Sequence, residues 1–381
     1  KGVAWVSLEK YLGQILGLLF SFSLMFFTSS DVFGEFALIA VSFALANMIS
    51  EGGLTIGMIK ATEDEFNSTK ILTICTQLVL SFFCVLWFTY FTEINVSDFV
   101  LITINTSIMC SCIISVLVAN LSRKEKWNHI GKSGLISQIL AITLAVFFVF
   151  SDFFLEALII RLSSKNIFYS ILLVINTQKE NFKIKKQSRK DYYSILRFSM
   201  PIFFSGFINN FYDLILVNYI GLRSISVLGF FNRSRQLGDF VVKTPSVIFE
   251  RVLFLKTKNV YNFNSFIKIW KLPLTVICVI WICFFLFNEF ITRDIISHIL
   301  PKWLGIQLII RVILIAYLFN SFSLVLTSYY YSIGSSFMVL VINIVKLILL
   351  LLLTTLEVKW DNIIIIISIF EFILYTVKIK K

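Results

Sequence analysis

At 381 residues, 58% hydrophobic and only 15% charged, with 41 Phe against 4 Pro, the chain has too little polar surface for a soluble fold. Its formal net charge of +12 would suit a nucleic-acid binder if the chain were soluble. With a mean hydropathy of +0.87 it reads instead as the loop bias of a polytopic membrane protein, and continuous runs such as LVLSFFCVLWFTYF exclude a β-barrel.

Twelve apolar stretches long enough to cross a bilayer as helices, about 20 residues each, follow one another. The first six fall at roughly 11–27, 33–58, 70–91, 99–121, 133–150 and 153–175. The second six fall at roughly 199–220, 227–250, 272–290, 304–330, 336–356 and 362–377, the eighth span being the least hydrophobic. The chain opens at Lys1 without a Met, and its first apolar run reads as a full span rather than a cleavable signal. Short loops leave no room for a soluble domain. The expected architecture is all-α, with about 12 transmembrane helices in two pseudo-symmetric six-helix lobes around a central cavity. The lobes are expected over 1–177 and 199–381, joined by a basic cytoplasmic linker over 178–198.

With the amino terminus in the cytoplasm, the cytoplasmic segments collect about 23 of the 34 Lys and Arg, the opposite loops about 4 and the spans about 7. Both termini are therefore expected on the cytoplasmic side. The densest run, QKENFKIKKQSRKDYYSILR from Gln178 to Arg197, reads as a connection able to touch anionic headgroups. Cys75, Cys84, Cys110, Cys112, Cys278 and Cys283 all lie in apolar runs far from His129 and His298. They read as small buried hydrophobes, with no metal site. Neither a Gly-rich phosphate loop nor a nucleophile elbow is present, so no cofactor and no catalysis are expected.

A short pattern, Val-x-Gly-x-Phe, occurs twice: Val32, Gly34 and Phe36 open span two, and Val227, Gly229 and Phe231 open span eight. Two parallel six-span repeats would place these at equivalent points, where glycine allows close backbone approach. Further segments fall in the order of a known family. KGVAWVSLEKYLGQILGLLFSF resembles its first helix, and SSDVFGEFALIAVSFALANMISEGGL its first loop and second helix. GLRSISVLGFFNRSRQLGDF resembles the segment opening span eight, and LPKWLGIQLIIRVI the start of span ten. In this order they resemble the Wzx-like O-antigen and exopolysaccharide flippases of the multidrug/oligosaccharidyl-lipid/polysaccharide exporter superfamily. Twelve spans rather than the fourteen of some relatives is a departure.

The resemblance implies an alternating-access flippase in the bacterial inner membrane. It would carry an undecaprenyl-pyrophosphate-linked oligosaccharide for O-antigen, capsule or other exopolysaccharide synthesis. Implied partners are that lipid-linked substrate, membrane lipids and polysaccharide-assembly proteins; nucleic acid is not implied, and the chain is expected to be monomeric. Two alternatives are a drug/cation antiporter of the same superfamily and a membrane enzyme of polysaccharide assembly. The basic excess inside the spans argues against the first, and the short non-cytoplasmic loops against the second.

An anionic lipid head needs cations in a polar interior, and ionisable residues within spans are the natural candidates. Arg161 and Lys165 lie four residues apart near the middle of span six and share one helix face. They read either as cavity-facing anion ligands or as side chains that snorkel or pair with another helix. Arg235, Asp239 and Lys243 form a stripe on span eight, with Arg233 on the far side. Arg311 and Lys346 are the remaining substrate-binding candidates. Asp213 and Glu51 are the candidate ion-coupling acids, Glu51 standing before a Gly52-Gly53 break, whereas Glu9 reads as interfacial. Tyr329, Tyr330 and Tyr331 read as an interfacial belt or a sugar-stacking surface.

Overall fold

The computed structural model describes residues 2–91, 96–178, 188–246, 262–290, 300–303, 305–333 and 335–379. Among them are thirteen α-helices and no strand. The first seven are α1 (Gly2–Phe27), α2 (Ser30–Glu51), α3 (Leu54–Lys60), α4 (Glu63–Phe91), α5 (Asp98–Arg123), α6 (Trp127–Phe150) and α7 (Phe154–Gln178). Then come α8 (Arg189–Arg223), α9 (Ile225–Gly238), α10 (Phe263–Phe290), α11 (Ile306–Ser332), α12 (Ser336–Thr355) and α13 (Trp360–Ile379). Eleven of these are long and apolar enough to cross a membrane; α3 and α9 fall short. The expected eighth span corresponds to α9, which continues as a π-helical turn over Asp239–Lys243, while 247–250 lie outside the described residues.

Local chemistry sets the boundaries. Thr62 and Glu65 form a reciprocal capping box that starts α4: Thr62 N donates to Glu65 Oε2 at 2.8 Å, and Glu65 N to Thr62 Oγ1 at 3.3 Å. Span two, read as one helix, is broken in two at Gly52 and Gly53, whose φ values of 58° and 63° are left-handed. Span seven begins ten residues before its expected start, because Arg189–Arg197 is helical. Ser188 Oγ accepts from the Asp191 amide at 3.2 Å, Ser68 Oγ donates to Asp191 Oδ2 at 2.7 Å, and Tyr192 OH donates to Thr76 Oγ1 at 2.9 Å. Capping and packing on α4 thus carry helix into the basic run; Lys179, Lys183, Lys185 and Lys186 lie outside the described residues.

Three helical hairpins turn through acidic residues of positive φ: Glu125 at 55°, Asp152 at 61° and Glu357 at 53°. In each, an amide reaches back over the turn, as from Phe153 N to Phe148 O (3.0 Å) and Val358 N to Leu353 O (3.1 Å). Asp152 joins the fifth and sixth expected spans and Glu357 the eleventh and twelfth. This is a second echo between the halves, invisible in residue identity.

By compactness the chain forms two units, Lys1–Ser21 with Leu38–Leu214, and Phe22–Ala37 with Ile215–Lys381. The division passes through α1, α2 and α8. In the first unit α5, α6 and α7 pack around Leu117, Leu121, Ile130 and Leu173. A buried polar layer links α2, α4 and α5: Ser111 Oγ donates to Ser50 Oγ at 2.8 Å, Ser50 Oγ also meets Ser81 Oγ, and Ser115 Oγ donates to Gln77 Oε1 at 2.9 Å. Small hydroxyl residues that bond across helices permit close packing where lipid supplies no water. The second unit packs Phe266, Trp270, Val325 and Tyr329 in one cluster and Leu326, Tyr330, Val339, Ile342 and Tyr375 in another. Gly34 and Gly229 both lie in this unit, at one crossing of α2 and α9.

Candidate functional site

The cationic pair sits on α7. Arg161 Nη1 donates to the Gly17 carbonyl at 3.3 Å and to Ser21 Oγ at 3.2 Å, both on α1. Its guanidinium carbon stands 5.5 Å from the Phe20 ring centroid. Gly17 makes room for this, since a methyl there would lie 2.7 Å from Arg161 Nη2. Both acceptors are neutral, so they position the guanidinium without neutralising it. Nε and Nη2, the edge that can grip an oxyanion bidentately, make no hydrogen bond among the described residues.

Lys165 lies one turn further along the same face, with no hydrogen bond or ion pair among the described residues. Glu9 of α1 is the acid within its electrostatic reach. The Glu9 carboxylate lies against α6, with Oε1 2.8 Å from where a Gly134 methyl would stand. Glu9 thus bears on Lys165 from α1. Arg161 and Lys165 are each half-buried. Two cations at this depth are tolerable only with access to water or with an anion present.

Glu51 closes α2 at the helix break. Its side chain is exposed. Its carbonyl accepts from Gln77 Nε2, which ties the break to the buried serine layer. Gly53 stands where α8 passes, a methyl there lying 2.8 Å from Phe203 Cβ. Asp213, also on α8, is half-buried and engaged by neighbours.

The other candidates lie in the second unit, on three different helices. Arg235 on α9 and Arg311 on α11 are half-buried and each has contacts of its own. Lys346 on α12 forms an ion pair of 2.9 Å with Glu371 on α13, the side chains being 15% and 11% exposed. Its charge is therefore compensated within the protein by an acid that span-by-span reading passed over. Asp239 accepts from Tyr317 OH at 2.7 Å, so the α9 stripe is satisfied in part from α11; the side chain of Lys243 lies outside those described. Arg233 is buried, donating to Gln236 Oε1 at 2.6 Å and standing 4.2 Å from the Phe33 ring centroid.

Tyr329 and Tyr330 are core residues rather than an interfacial belt. Tyr329 packs on Phe266 at 5.1 Å, and Tyr330 OH donates to the Tyr375 carbonyl at 3.1 Å. The side chain of Tyr331 lies outside those described. The six cysteines are unpaired thiols; Cys84 and Cys112 are buried as expected, but Cys75 and Cys283 are exposed on the apolar surface of their helices. Among the described residues no cluster of three His, Cys, Asp or Glu could hold a metal ion. Glu371, Tyr317 and Gly17 are the residues sequence reading missed. Each acts on a partner from another helix, which spacing along one helix does not reveal.

A family model described as "Polysaccharide biosynthesis protein" matches residues 1–254. No curated protein sequence matches the chain. Among solved structures it is similar to the lipid II flippase MurJ in an inward closed conformation, at 15% identity and a TM-score of 0.73, over 99% of this chain and 87% of that one. A multidrug resistance MATE family transporter of the MOP superfamily, inward-facing, is similar at 12% identity and a TM-score of 0.70, over 93% and 94%. A MOP superfamily transporter from Pyrococcus furiosus is similar at 11% identity and a TM-score of 0.53, over 100% and 95%. At these identities the likeness is one of fold, the two-lobe all-helical architecture expected from the sequence.

Proposed function

We propose a flippase function for this chain, which belongs to the polysaccharide biosynthesis protein family: it moves an undecaprenyl-pyrophosphate-linked oligosaccharide across the bacterial inner membrane. The coarser statement, a multi-pass membrane protein of flippase or transporter type, already follows from family and fold. The pyrophosphate specificity rests on one observation. Arg161 offers its Nε–Nη2 edge, and Lys165 its ammonium, on adjacent turns of a membrane-spanning helix. A pyrophosphate presents two charged oxygen clusters, which a bidentate guanidinium and a point-charge ammonium suit together.

In this reading the anionic head enters a hydrated interior and displaces water from Arg161 and Lys165. Neutral acceptors on Nη1 hold the guanidinium still, so little ordering is required on binding. Glu9 moderates the field at Lys165, keeping the head releasable. Arg235, Arg311 and Lys346 are assigned as further substrate cations within the second unit, Lys346 contributing least, because Glu371 offsets it. Glu51 and Asp213 are assigned as ion-coupling acids. The chain acts without cofactor or catalysis, as a monomer, alongside polysaccharide-assembly proteins, with both termini in the cytoplasm.

The test is accumulation of unflipped lipid-linked oligosaccharide on the cytoplasmic leaflet, with membrane expression matched. Arg161→Ala/Lys165→Ala is expected to abolish flipping. Normal flipping by the double variant would overturn the assignment of these cations to the substrate.

A further inference from the structure

Tyr329 and Tyr330 belong to the core, but α8 carries a different aromatic face. Phe203, Phe207 and Phe211 recur every four residues, so each ring stands one turn, about 6 Å, beyond the last. Their centroids are 6.3 Å and 5.9 Å apart, and the Phe207 and Phe211 rings are within 7° of parallel. All three are half-buried, which leaves a rigid apolar ledge along the helix. Asn210 stands about 60° around the helix from Phe207, and Asp213 about 60° further on. These residues all lie in the first compact unit.

The ledge sits near the middle of a helix long and apolar enough to span the membrane. Asn209 beside it is exposed, and its side chain makes no hydrogen bond among the described residues. An exposed amide and a half-buried carboxylate at this depth cannot face acyl chains, so this flank of α8 borders water. Asn210 Nδ2 donates to the Gly206 carbonyl at 2.9 Å, which fixes the amide and leaves its Oδ1 without a donor among the described residues. Helix α2 forms the opposite wall. A methyl on Gly53, just past α2, would lie 2.8 Å from Phe203 Cβ, and one on Gly206 would lie 2.7 Å from Met48 Cε, so the two helices touch and run antiparallel here. One turn beyond Met48, on the same face of α2, Ala44 is exposed. The helices therefore part after Gly206, and a cleft lies between Ala44 and Asn210.

Aromatic rings beside an amide, in a wet cleft, suit a sugar. The C–H face of a pyranose packs on a ring, while its hydroxyls need donors and acceptors in place of water. An isoprenoid tail would cover the rings and leave the amide unpaired, and a phosphate would meet the Asp213 carboxylate. We propose that the α2–α8 cleft is a sugar subsite, in which Phe207 packs against a pyranose and Asn210 hydrogen-bonds its hydroxyls. Ala44 leaves room for the ring on the other wall. This subsite rests on the flippase reading, which makes a lipid-linked oligosaccharide the cargo: α8 reads the glycan, and Arg161 and Lys165 hold the pyrophosphate.

The test measures binding by the whole protein in lipid nanodiscs to two probes: lipid-linked oligosaccharide extracted from the producing cells, and bare undecaprenyl pyrophosphate. Phe207→Leu/Asn210→Leu keeps apolar side chains in the span and is expected to weaken binding of the glycosylated probe about tenfold, while the bare probe binds as it does to wild type. Ala44→Leu fills the cleft from α2, alters nothing on α8, and is expected to act in the same direction. Unchanged affinity for the glycosylated probe in either variant overturns the subsite, and so does an equal loss of both probes. Arg161→Ala/Lys165→Ala separates the two readings, since it is expected to weaken both probes alike. If that variant binds both as wild type does, while the α8 and α2 variants lose the glycosylated probe alone, the sugar subsite stands and the pyrophosphate reading falls.

Discussion

Arg161 shows how a charge deep in a span is held in a fixed geometry. Its two hydrogen bonds go to neutral α1 acceptors, which position the guanidinium without neutralising it. Arg161→Lys is therefore expected to flip at an intermediate rate between wild type and Arg161→Ala, since it keeps charge and loses the bidentate edge. Gly17→Ala should reproduce part of the Arg161→Ala defect, because the methyl would occupy space held by Nη2. Rates of headgroup exposure on the far leaflet, at matched expression, check all three. Lys346 and Glu371 give the contrasting case. Lys346→Met alone leaves a carboxylate buried without its partner, a loss of about 3–5 kcal/mol, whereas Lys346→Met/Glu371→Met should return to within about 1 kcal/mol of wild type. Thermal unfolding of purified protein in detergent distinguishes these outcomes. The helix-face relation of Arg161 to Lys165 was legible in the sequence because it lies within one helix. The pairing of Lys346 with Glu371 and the approach of Glu9 to α6 were not, because period and spacing say nothing of which helices become neighbours.

At the scale of elements, hydropathy located the spans well and their ends less well. Glu51-Gly52-Gly53 signalled a break, and α2 and α3 are indeed separate, yet the apolar run across them read as one span. Arg189–Arg197 read as part of a linker, since charge dominates a hydropathy window, but Ser188, Asp191 and Tyr192 supply the cap and the α4 contacts that make it helix. The break itself makes a prediction with two levels. At Gly52 the nearest atom to an added Cβ is 3.4 Å away, so Gly52→Ala carries mainly the backbone cost of positive φ, about 1 kcal/mol. At Gly53 the same cost is joined by a clash with Phe203, whose backbone nitrogen would lie 3.2 Å from the new Cβ. Gly53→Ala should therefore destabilise by at least about 1 kcal/mol more than Gly52→Ala. Equal melting temperatures for the two variants would show that α8 yields freely at this point.

For the whole molecule, the bias of basic residues predicts an orientation, and the structure supplies positions at which to test it. Helix α6 spans 24 residues, about 36 Å, which is enough to carry its two ends to opposite membrane faces. Lys124 stands just before it and Ser151 just after; both are exposed, and both have negative φ, so cysteine fits either without backbone strain. Lys124 belongs to the cluster Arg123, Lys124, Lys126 and Lys132, which the positive-inside rule places in the cytoplasm. Ser151 lies in the Asp152 turn, whose counterpart in the second half is the Glu357 turn. Ser151→Cys should accordingly react with an impermeant maleimide added to spheroplasts, and Lys124→Cys only after the membrane is permeabilised. The native thiols at Cys75 and Cys283 face the apolar surface and are replaced by alanine for the measurement. Labelling at Lys124→Cys in sealed spheroplasts, with none at Ser151→Cys, would invert the protein in the membrane.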